Sequence, residues 1–167
     1  MKFKEFTPEI KTGEEKLSEA ESRVYEILVP RHMASAIKME EFSDLYGERI
    51  KKDKALLEER KKGFSETYGA KRGKILEAIL NEQIELNNWL GQEALTIIPS
   101  EFDDIINGVD VVVEFEREEG FKHMALGLDM TSSANEIRRK LFEARKHILK
   151  GDLTQIKYFI SEFFHTN

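Results

Sequence analysis

Two aspartates, Asp110 and Asp129, stand at the ends of two strand-like segments, where a hairpin would bring them together. Each segment is a run of β-branched or apolar residues bounded by turn-forming residues, a pattern typical of β-strands. A two-residue loop at Glu119 and Gly120 places Asp110 directly opposite Asp129. Like charges opposed on a sheet destabilise it, and a divalent cation held by oxygen ligands removes the repulsion. The pair therefore predicts a metal site at the open end of the hairpin.

A second explanation of the same aspartates needs no metal. Asp110 can cap the turn that follows Asn107 and Gly108, and Asp129 can lie where its strand emerges into solvent. Both explanations fit the hairpin taken by itself. The choice between them depends on what other elements of the chain bring to the same place.

The alternation of side chains divides the hairpin into two faces, because neighbouring residues of a strand point to opposite sides. One face is continuous and apolar, and it consists of Val111, Val113, Phe115, Met124, Leu126, Leu128 and Met130. The other face carries both aspartates together with Val112, Glu114, Ala125, Gly127 and Thr131. Glu114 is either a supporting group of the site or simply exposed.

A predicted helix over residues 74–90 carries a carboxylate on its core-facing side. Glu82 interrupts an apolar stripe that consists of Ile75, Ile79, Leu86 and Trp89. Burial of an unpaired carboxylate is costly, so Glu82 must be paired, protonated or bound to a cation. A salt bridge to a basic side chain and a place in the metal site are both open at this point.

A second predicted helix, over residues 134–150, concentrates basic charge directly after Asp129. It begins with the capping-box spacing of Ser133 and Glu136, ends before Gly151, and has a predicted buried stripe of Ile137, Leu141, Ala144 and Ile148. Six Lys or Arg residues against two Glu residues give it a local charge of +4, although the whole chain carries −6. Such a surface suits contact with phosphate, and it is also compatible with a merely solvated helix face.

The order of elements resembles the core of the PD-(D/E)XK nuclease superfamily, with an acid that opens the second strand and another that closes the third. The resemblance covers about residues 74–160, and the predicted strands span 94–98, 109–116, 122–130 and 155–160. It implies an α/β fold, a restriction-endonuclease-like αβββαβ core with a mixed central sheet flanked by helices. It also implies that Asp110 and Asp129 are the motif acids and that Glu82, on the first core helix, joins the metal site.

One position departs from the family motif. The motif has a lysine two residues after the second acid, and this chain has Thr131 there. The family lysine is thought to orient and polarise the attacking water, whereas threonine donates one hydrogen bond and carries no charge. Some relatives supply the cation from the following helix, and Lys140 is the best candidate here because it flanks the predicted stripe. The alternative is a site that kept its fold and lost its chemistry.

The resemblance implies a metal-dependent nuclease that hydrolyses phosphodiester bonds of nucleic acid, DNA rather than RNA. The implied catalytic residues are Asp110, Asp129, Thr131 and Lys140, and Mg²⁺ or Mn²⁺ would be held by Asp110, Asp129, Glu82 and the main-chain carbonyl of Met130. The alternative from a different class is a catalytically inactive nuclease-like module for binding or assembly. A basic side chain that converges on the two aspartates would favour the enzyme.

Residues outside this core predict a helical accessory region. Residues 1–73 form an N-terminal helical extension that packs on the core or forms a partner surface, and residues 74–167 form the nuclease-like core. The acidic loop before Asn107 contains Asp104, which can assist through a metal-bound water or serve the turn alone. We expect the four histidines to be on the surface because they have no ligand spacing; they are His32, His123, His147 and His165.

Composition limits the other classes of function. The chain has no cysteine, which excludes disulfides and thiolate metal sites. It has no run of about 18 apolar residues and no signal-peptide stretch at its N-terminus, so we expect a cytoplasmic protein that does not span a membrane. Its acidic total argues against indiscriminate coating of nucleic acid and permits a local basic groove. A homodimer is compatible with the predicted partner surface.

Overall fold

The computed structural model describes residues 16–65, 67–115, 124–131, 133–152 and 154–161. Within these ranges helices alternate with a small sheet, so the general α/β class predicted from the sequence is confirmed. In chain order the elements are α1 (Glu19–Ala34), a 3₁₀ turn (Met39–Phe42), α2 (Ser43–Tyr46), α3 (Arg49–Lys61), α4 (Tyr68–Asn87), β1 (Ala94–Ile97), a π-helical turn (Asp103–Asn107), β2 (Val111–Phe115), β3 (Met124–Leu128) and α5 (Ala134–Lys150).

The two long helices α1 and α4 pack against each other. Before α1, the Ser18 hydroxyl accepts a hydrogen bond from the Glu21 N–H at 3.2 Å, and the Glu21 carboxylate accepts one from the Ser18 N–H at 2.7 Å. This reciprocal cap satisfies backbone donors that the first turn of a helix leaves unpaired. Val29 of α1 forms a buried cluster with Ile75 and Ala78 of α4. The N-terminal region therefore covers one side of α4.

The bounds of α4 differ from the predicted helix over residues 74–90. The Thr67 hydroxyl accepts from the Ala70 N–H at 3.2 Å, so the helix begins at Tyr68. It ends at Asn87 because Asn88 takes a left-handed backbone conformation with φ of 50°, which asparagine tolerates better than most residues. The helix thus starts about two turns earlier than the apolar periodicity indicated.

The buried face of α4 is also not the one predicted. Ile75, Ala78 and Ile84 are its buried residues. Beyond Ile75 the predicted stripe is wrong, because the other members of that stripe are exposed in the structure: Ile79, Leu86 and Trp89. Glu82 is half-buried and does not interrupt a buried row.

The three strands form one antiparallel sheet in the order β1-β2-β3. β2 and β3 pair with Val111 opposite Leu128 and Phe115 opposite Met124, which is the predicted register. β1 lies on the other side of β2. The loop predicted at residues 119–120 lies outside the described residues. The central strand β2 therefore holds the end of the hairpin at which Asp110 and Asp129 lie.

The two faces of β2 pack against different clusters, as the predicted alternation requires. Val111 and Val113 belong to a cluster with Ile84 of α4, and Leu128 and Met130 pack against it. On the opposite face, the core cluster consists of Val112 with Val109 and Ile97. Glu114 lies among these layers with only 2% of its surface exposed, so the alternative that it is simply exposed is wrong.

The segment 154–161 approaches the core without forming the strand predicted over residues 155–160. Its Lys157 and Tyr158 N–H groups donate to the carboxylate of buried Asp103 at 2.7 and 2.9 Å. Ser100 and Asn107 donate to the same carboxylate at 2.7 and 2.6 Å. The Asp103 side chain, instead of a neighbouring strand, thus accepts the hydrogen bonds of these backbone N–H groups. The sheet of the described residues is consequently antiparallel and not mixed.

The helix α5 has the predicted bounds, but the side of it that was predicted to be buried is exposed. The Ser133 hydroxyl accepts from the Glu136 N–H at 3.3 Å, and Gly151 ends the helix with φ of 74°. The stripe predicted to be buried is exposed, and its residues are Ile137, Leu141, Ala144 and Ile148. Local caps thus define the length of α5, while its apolar side has no cover from the residues described. None of the helices described is both long and apolar enough to cross a membrane.

Candidate functional site

Asp110 forms the hydrogen bonds that hold the two strand ends together at the open end of the hairpin. Its N–H donates to the Leu128 carbonyl at 2.9 Å, and its carboxylate accepts from the Met130 N–H at 2.5 Å. Burial raises the pKa of Asp110; the charge of Asp129 adds to the rise, and the Met130 N–H and Lys140 oppose it. Asp110 is therefore a structural cap of the hairpin and, at the same time, a partly buried carboxylate beside a second one.

Lys140 reaches from α5 to the end of β3. Its ammonium group contacts the carboxylate of Asp129 and also donates to the main-chain carbonyl of Met130 at 3.1 Å. The side chain of Lys140 is 28% exposed and that of Asp129 is 40% exposed, so the pair is neither fully buried nor freely solvated. The positive charge of the Lys140 ammonium group thus lies at the end of the hairpin that carries the two aspartates.

Two further carboxyl groups lie near Asp110: Glu77 of α4 and Asp104 of the π-helical turn. Burial raises the pKa of Glu77 to about 7, and the charges of Asp110 and Asp104 add to the rise. Burial likewise raises the pKa of Asp104 to about 7, with contributions from Asp110 and Glu101. Asp104 and Asp110 share a side-chain hydrogen bond, which requires a proton on one of them. Burial and mutual repulsion thus favour the protonated forms of Glu77 and Asp104 more than those of solvent-exposed carboxyl groups.

A cavity of about 20 Å³ lies between α1, α4 and the π-helical turn. Its lining includes Glu77, Asp104, Asp110 and, from α1, His32. His32 is 8% exposed, so the prediction that it is a surface histidine is wrong. Burial lowers the pKa of His32, against the charge of Glu82, and favours the neutral imidazole. Among the described residues its Nδ1 atom has no hydrogen-bond partner.

The remaining predicted site residues have other neighbours in the structure. Glu82 acts electrostatically on His32. The Thr131 hydroxyl accepts from the Ser133 N–H at 3.2 Å and so supports the start of α5. The roles of Glu82 as a metal ligand and of Thr131 as a catalytic group stay predictions. Met130 contributes its carbonyl to Lys140 and its N–H to Asp110, which places its backbone inside the site.

The donor groups at the end of the hairpin, the carboxyl groups of Asp110 and Asp129 and the carbonyl of Met130, are of the types that bind a hard divalent cation. Carboxyl groups and a backbone carbonyl are the ligands that Mg²⁺ takes from proteins, and Mn²⁺ accepts the same set. In the part of the chain that the structure describes, no three His, Asp or Glu side chains already surround a common point suited to an ion. The fit to a metal therefore lies in the types of donor and their charge, and not in their spacing.

Glu77 and His32 were not among the candidates that sequence patterns suggested. A signal for Glu77 exists in retrospect, because it lies between the buried residues Ile75 and Ala78 at the edge of the buried face of α4. His32 carries no such signal, since its burial depends on how α1 packs against α4 and the π-helical turn. Asp104 was a candidate through a metal-bound water, and the structure brings it into direct hydrogen bonding with Asp110.

Comparison with known proteins adds no relative to this description. No family model matches the chain, and neither a curated protein nor a solved structure matches it. The resemblance to the PD-(D/E)XK nucleases therefore stays a prediction, which rests on the order of elements in the sequence and on the positions of two acids.

Proposed function

We propose that the protein is a metal-dependent nuclease of the cytoplasm that hydrolyses phosphodiester bonds, with Asp110, Asp129 and Lys140 at its centre. The observation that carries this proposal is the contact of the Lys140 ammonium with Asp129 and with the Met130 carbonyl. It supplies, from the following helix, the cation that the motif position of Thr131 lacks. Two acids and a cation at one end of a hairpin are the minimum that such chemistry needs.

The residues that would hold Mg²⁺ or Mn²⁺ are Asp110 and Asp129 through their carboxylates and Met130 through its carbonyl. Glu82 is a further predicted ligand, and Glu77 is the carboxyl group of α4 whose pKa responds to the charge of Asp110. A bound divalent ion would supply Lewis acidity and a water of lowered pKa. Burial, and then the charges of Asp110 and Asp104, raise the pKa of Glu77, and a bound cation would offset the part that is due to those charges.

The chain's own side chains have distinct tasks in this proposal. Lys140 holds Asp129 in place and presents a positive charge where negative charge develops on the phosphate. Asp104, with a pKa near 7, holds a proton against Asp110 and can release it at neutral pH. The Met130 N–H fixes the Asp110 carboxylate, so the acid does not need to be ordered by the substrate.

The basic surface of α5 suits a nucleic acid substrate. Arg138, Arg145 and Lys150 are exposed on a helix that begins just beyond Asp129. Phosphate groups of a strand bound along α5 would meet these side chains on a path that leads away from the two aspartates. The net charge of −6 over the whole chain makes binding depend on this local surface. We propose DNA as the preferred substrate and RNA as the second.

Cleavage assays with defined substrates test this proposal. Supercoiled, linear and single-stranded DNA, together with single-stranded RNA, are incubated with the protein in Mg²⁺, Mn²⁺ or excess EDTA. Cleavage that requires metal and disappears in Asp129→Ala supports the nuclease. If no substrate is cut by a wild-type protein that melts cooperatively, or if Asp129→Ala cuts as fast as the wild type, the proposal fails.

One observation favours a second candidate, a catalytically inactive nuclease-like module for binding or assembly. The apolar residues of α5 are exposed, and Leu141 and Ile148 have 66% and 75% of their surface accessible. Exposed apolar surface on this scale is typical of a contact site for another macromolecule. Retained binding of a partner together with absence of metal-dependent cleavage would favour this module over the enzyme.

A further inference from the structure

The apolar side of α5 is exposed to solvent, and none of the side chains described in this helix is buried. A helix of 17 residues has little stability in water by itself, because helices in proteins are stabilised mainly by the packing of one face on another surface. The helix therefore needs a surface that covers four residues at helical spacing. We call these residues the α5 stripe: Ile137, Leu141, Ala144 and Ile148.

A surface of matching chemistry lies on the same chain, between the end of α4 and the hairpin. It is an open groove of about 560 Å³ with mostly apolar walls. Trp89 in this groove has 59% of its surface exposed, so the residues that the structure describes leave the groove open. An exposed apolar groove is typical of a contact site. The apolar groove is defined by Leu80, Ile84, Trp89, Leu90, Leu126 and Leu128.

The apolar groove and α5 adjoin each other at the end of the hairpin. Asp129 and Met130 line the groove, and the same two residues contact the Lys140 ammonium group of α5. Two complementary surfaces that lie side by side on one chain suit a two-fold symmetric dimer, because each copy offers its stripe to the groove of the other. Both apolar surfaces are then covered by one partner, and every contact occurs twice.

The distribution of charge favours this arrangement over direct pairing of two α5 helices. Because α5 contributes +4 to a total of −6, the rest of the chain carries −10. A basic helix is attracted to this acidic remainder, whereas two α5 helices side by side repel each other. A nucleic acid strand would neutralise the basic side chains of α5, but its phosphate groups would leave the α5 stripe exposed to water.

We propose that the protein forms a two-fold symmetric homodimer in which the α5 stripe of one copy packs in the apolar groove of the other. The proposal goes beyond the nuclease function and does not depend on it. Because Asp129 lines the groove, α5 of the second copy then lies beside the hairpin end of the first copy. The dimer interface and the candidate site are therefore neighbours.

Trp89 reports directly on the groove, because it is the single tryptophan of the chain and is largely exposed in one copy. Wild-type protein is diluted from high micromolar to submicromolar concentration while tryptophan emission and, by analytical ultracentrifugation, molar mass are measured. We expect a dimer with blue-shifted emission that dissociates to a monomer with red-shifted emission. The same midpoint in both measurements supports the proposal, and this result does not depend on how any variant folds.

Other occupants of the two surfaces give different results in the same experiment. A monomer with buried Trp89 at every concentration means that α5 packs in the groove of its own chain. A monomer whose emission shifts only when phosphatidylserine vesicles are added means that a lipid surface covers the apolar residues. A monomer with exposed Trp89 throughout, or a dimer in which Trp89 stays exposed, means that the groove is not the interface. Each of these results overturns the proposed homodimer.

Two substitutions test the two sides of the contact separately. Leu141→Gln changes the α5 stripe and Leu90→Gln changes the apolar groove, and both positions are exposed in one copy. Each should raise the dissociation constant of the dimer at least about tenfold, because a symmetric dimer loses each apolar contact twice. Leu45→Gln is the matched control, since Leu45 is 72% exposed on α2, against 66% for Leu141, and does not line the groove.

The groove variant decides how the two copies meet. Weaker dimers in both Leu141→Gln and Leu90→Gln, with the affinity of Leu45→Gln unchanged, support the packing of the α5 stripe in the groove. A dimer that Leu141→Gln weakens and Leu90→Gln leaves intact means that the two α5 helices pair directly, which overturns the proposal. Unchanged affinity in both variants overturns it as well, because the interface then lies elsewhere on the chain.

Discussion

The ammonium group of Lys140, in α5, contacts the carboxylate of Asp129, which directly follows β3. The same ammonium donates to the Met130 carbonyl at 3.1 Å, so it bridges a side chain and the backbone of the strand end. The Asp110 carboxylate, directly before the neighbouring strand β2, accepts from the Met130 N–H. Asp129 and Met130 thereby link the Lys140 ammonium group to the Asp110 carboxylate.

This link predicts that Lys140 matters for cleavage more than for metal binding. Lys140→Ala removes a charge that would stabilise the transition state, and it also frees the Asp129 carboxylate for a cation. We expect Mg²⁺- or Mn²⁺-dependent melting shifts at least as large as in the wild type, with cleavage reduced about 10²–10³-fold. Single-turnover cleavage and thermal melting of the same preparations measure the two effects.

Lys51→Ala is the control for Lys140→Ala. Lys51 lies on α3, outside the basic surface of α5, and forms an exposed ion pair with Glu48 at 2.8 Å. It should cleave within about twofold of the wild type, since an exposed ion pair contributes little. Normal cleavage by Lys140→Ala would remove the lysine from the mechanism and leave the metal ligands untouched.

A second prediction concerns the two aspartates as ligands. Asp110→Asn and Asp129→Asn each remove a negative charge with little change of shape, so each should abolish most of the metal-dependent rise in melting temperature. In the wild type, an ion at a hundred times its dissociation constant adds about 2.7 kcal/mol to the free energy of unfolding. Differential scanning fluorimetry over a series of Mg²⁺ and Mn²⁺ concentrations measures the shift.

Glu59→Gln supplies the comparison for these ligand variants. Glu59 is exposed on α3, far along the chain from the hairpin, and its charge removal should leave the metal-dependent shift intact. Equal shifts in Asp110→Asn, Asp129→Asn and Glu59→Gln would mean that any bound ion lies elsewhere on the protein. The proposed metal site would then be untenable.

A third prediction is that Asp103 is among the most important single residues for stability. Its buried carboxylate accepts from two side chains and from the Lys157 and Tyr158 N–H groups, with distances of 2.6–2.9 Å. Asp103→Ala leaves these donors without an acceptor, so we expect a loss of about 3 kcal/mol or more in the free energy of unfolding. Urea denaturation followed by circular dichroism measures it.

The control for Asp103 is Asp44→Ala, because Asp44 is exposed in the first turn of the short helix α2. It should change the free energy of unfolding by less than about 1 kcal/mol. A similarly small effect of Asp103→Ala would show that the segment around Tyr158 is held by its aromatic packing against Phe42 and Phe102 rather than by the carboxylate.

The hairpin and α5 could be predicted because local chemistry determines them. β-branched residues with alternating polarity establish the register of β2 and β3, and Ser133 and Gly151 establish the ends of α5. The absence of a strand over residues 155–160 could not be predicted in this way. It depends on Asp103, more than fifty positions away, which takes the backbone donors of that segment.

The residues of the candidate site also fall into two groups, those with a local sequence signal and those without one. Asp110, Asp129 and Lys140 lie in or beside elements with clear local patterns, and the ion pair of Lys140 follows from the start of α5. Glu77 and His32 are brought to the cavity by the packing of α1 on α4, which has no local signal. Apolar periodicity even indicated the wrong face of α4, because it does not distinguish a buried stripe from an exposed one.

A final prediction concerns pH, and it follows from the ion pair of Glu21 with Arg72. The Arg72 Nε group donates to the Glu21 carboxylate at 2.8 Å, and this hydrogen bond, with that of the Ser18 N–H, lowers the pKa of Glu21 to about 2. A folded-state pKa below the ordinary value of 4.5 means that the folded protein favours the ionised form. The resulting stability is complete above about pH 4.5 and is lost as the pH falls towards 2.

Glu21→Gln isolates this charge, because glutamine can still close the cap with Ser18. We expect it to lower the free energy of unfolding at pH 7 by up to about 1 kcal/mol, and the difference from the wild type should shrink between pH 4.5 and pH 2. Urea titrations at pH 7, 4 and 2.5 measure this trend.

Glu19→Gln is the control, since Glu19 pairs with Arg23 in an exposed position and should show no such pH dependence. A loss in Glu21→Gln that is constant across this range would assign the stabilisation to hydrogen-bond geometry, because a contribution from the charge must disappear once the wild-type carboxyl is protonated.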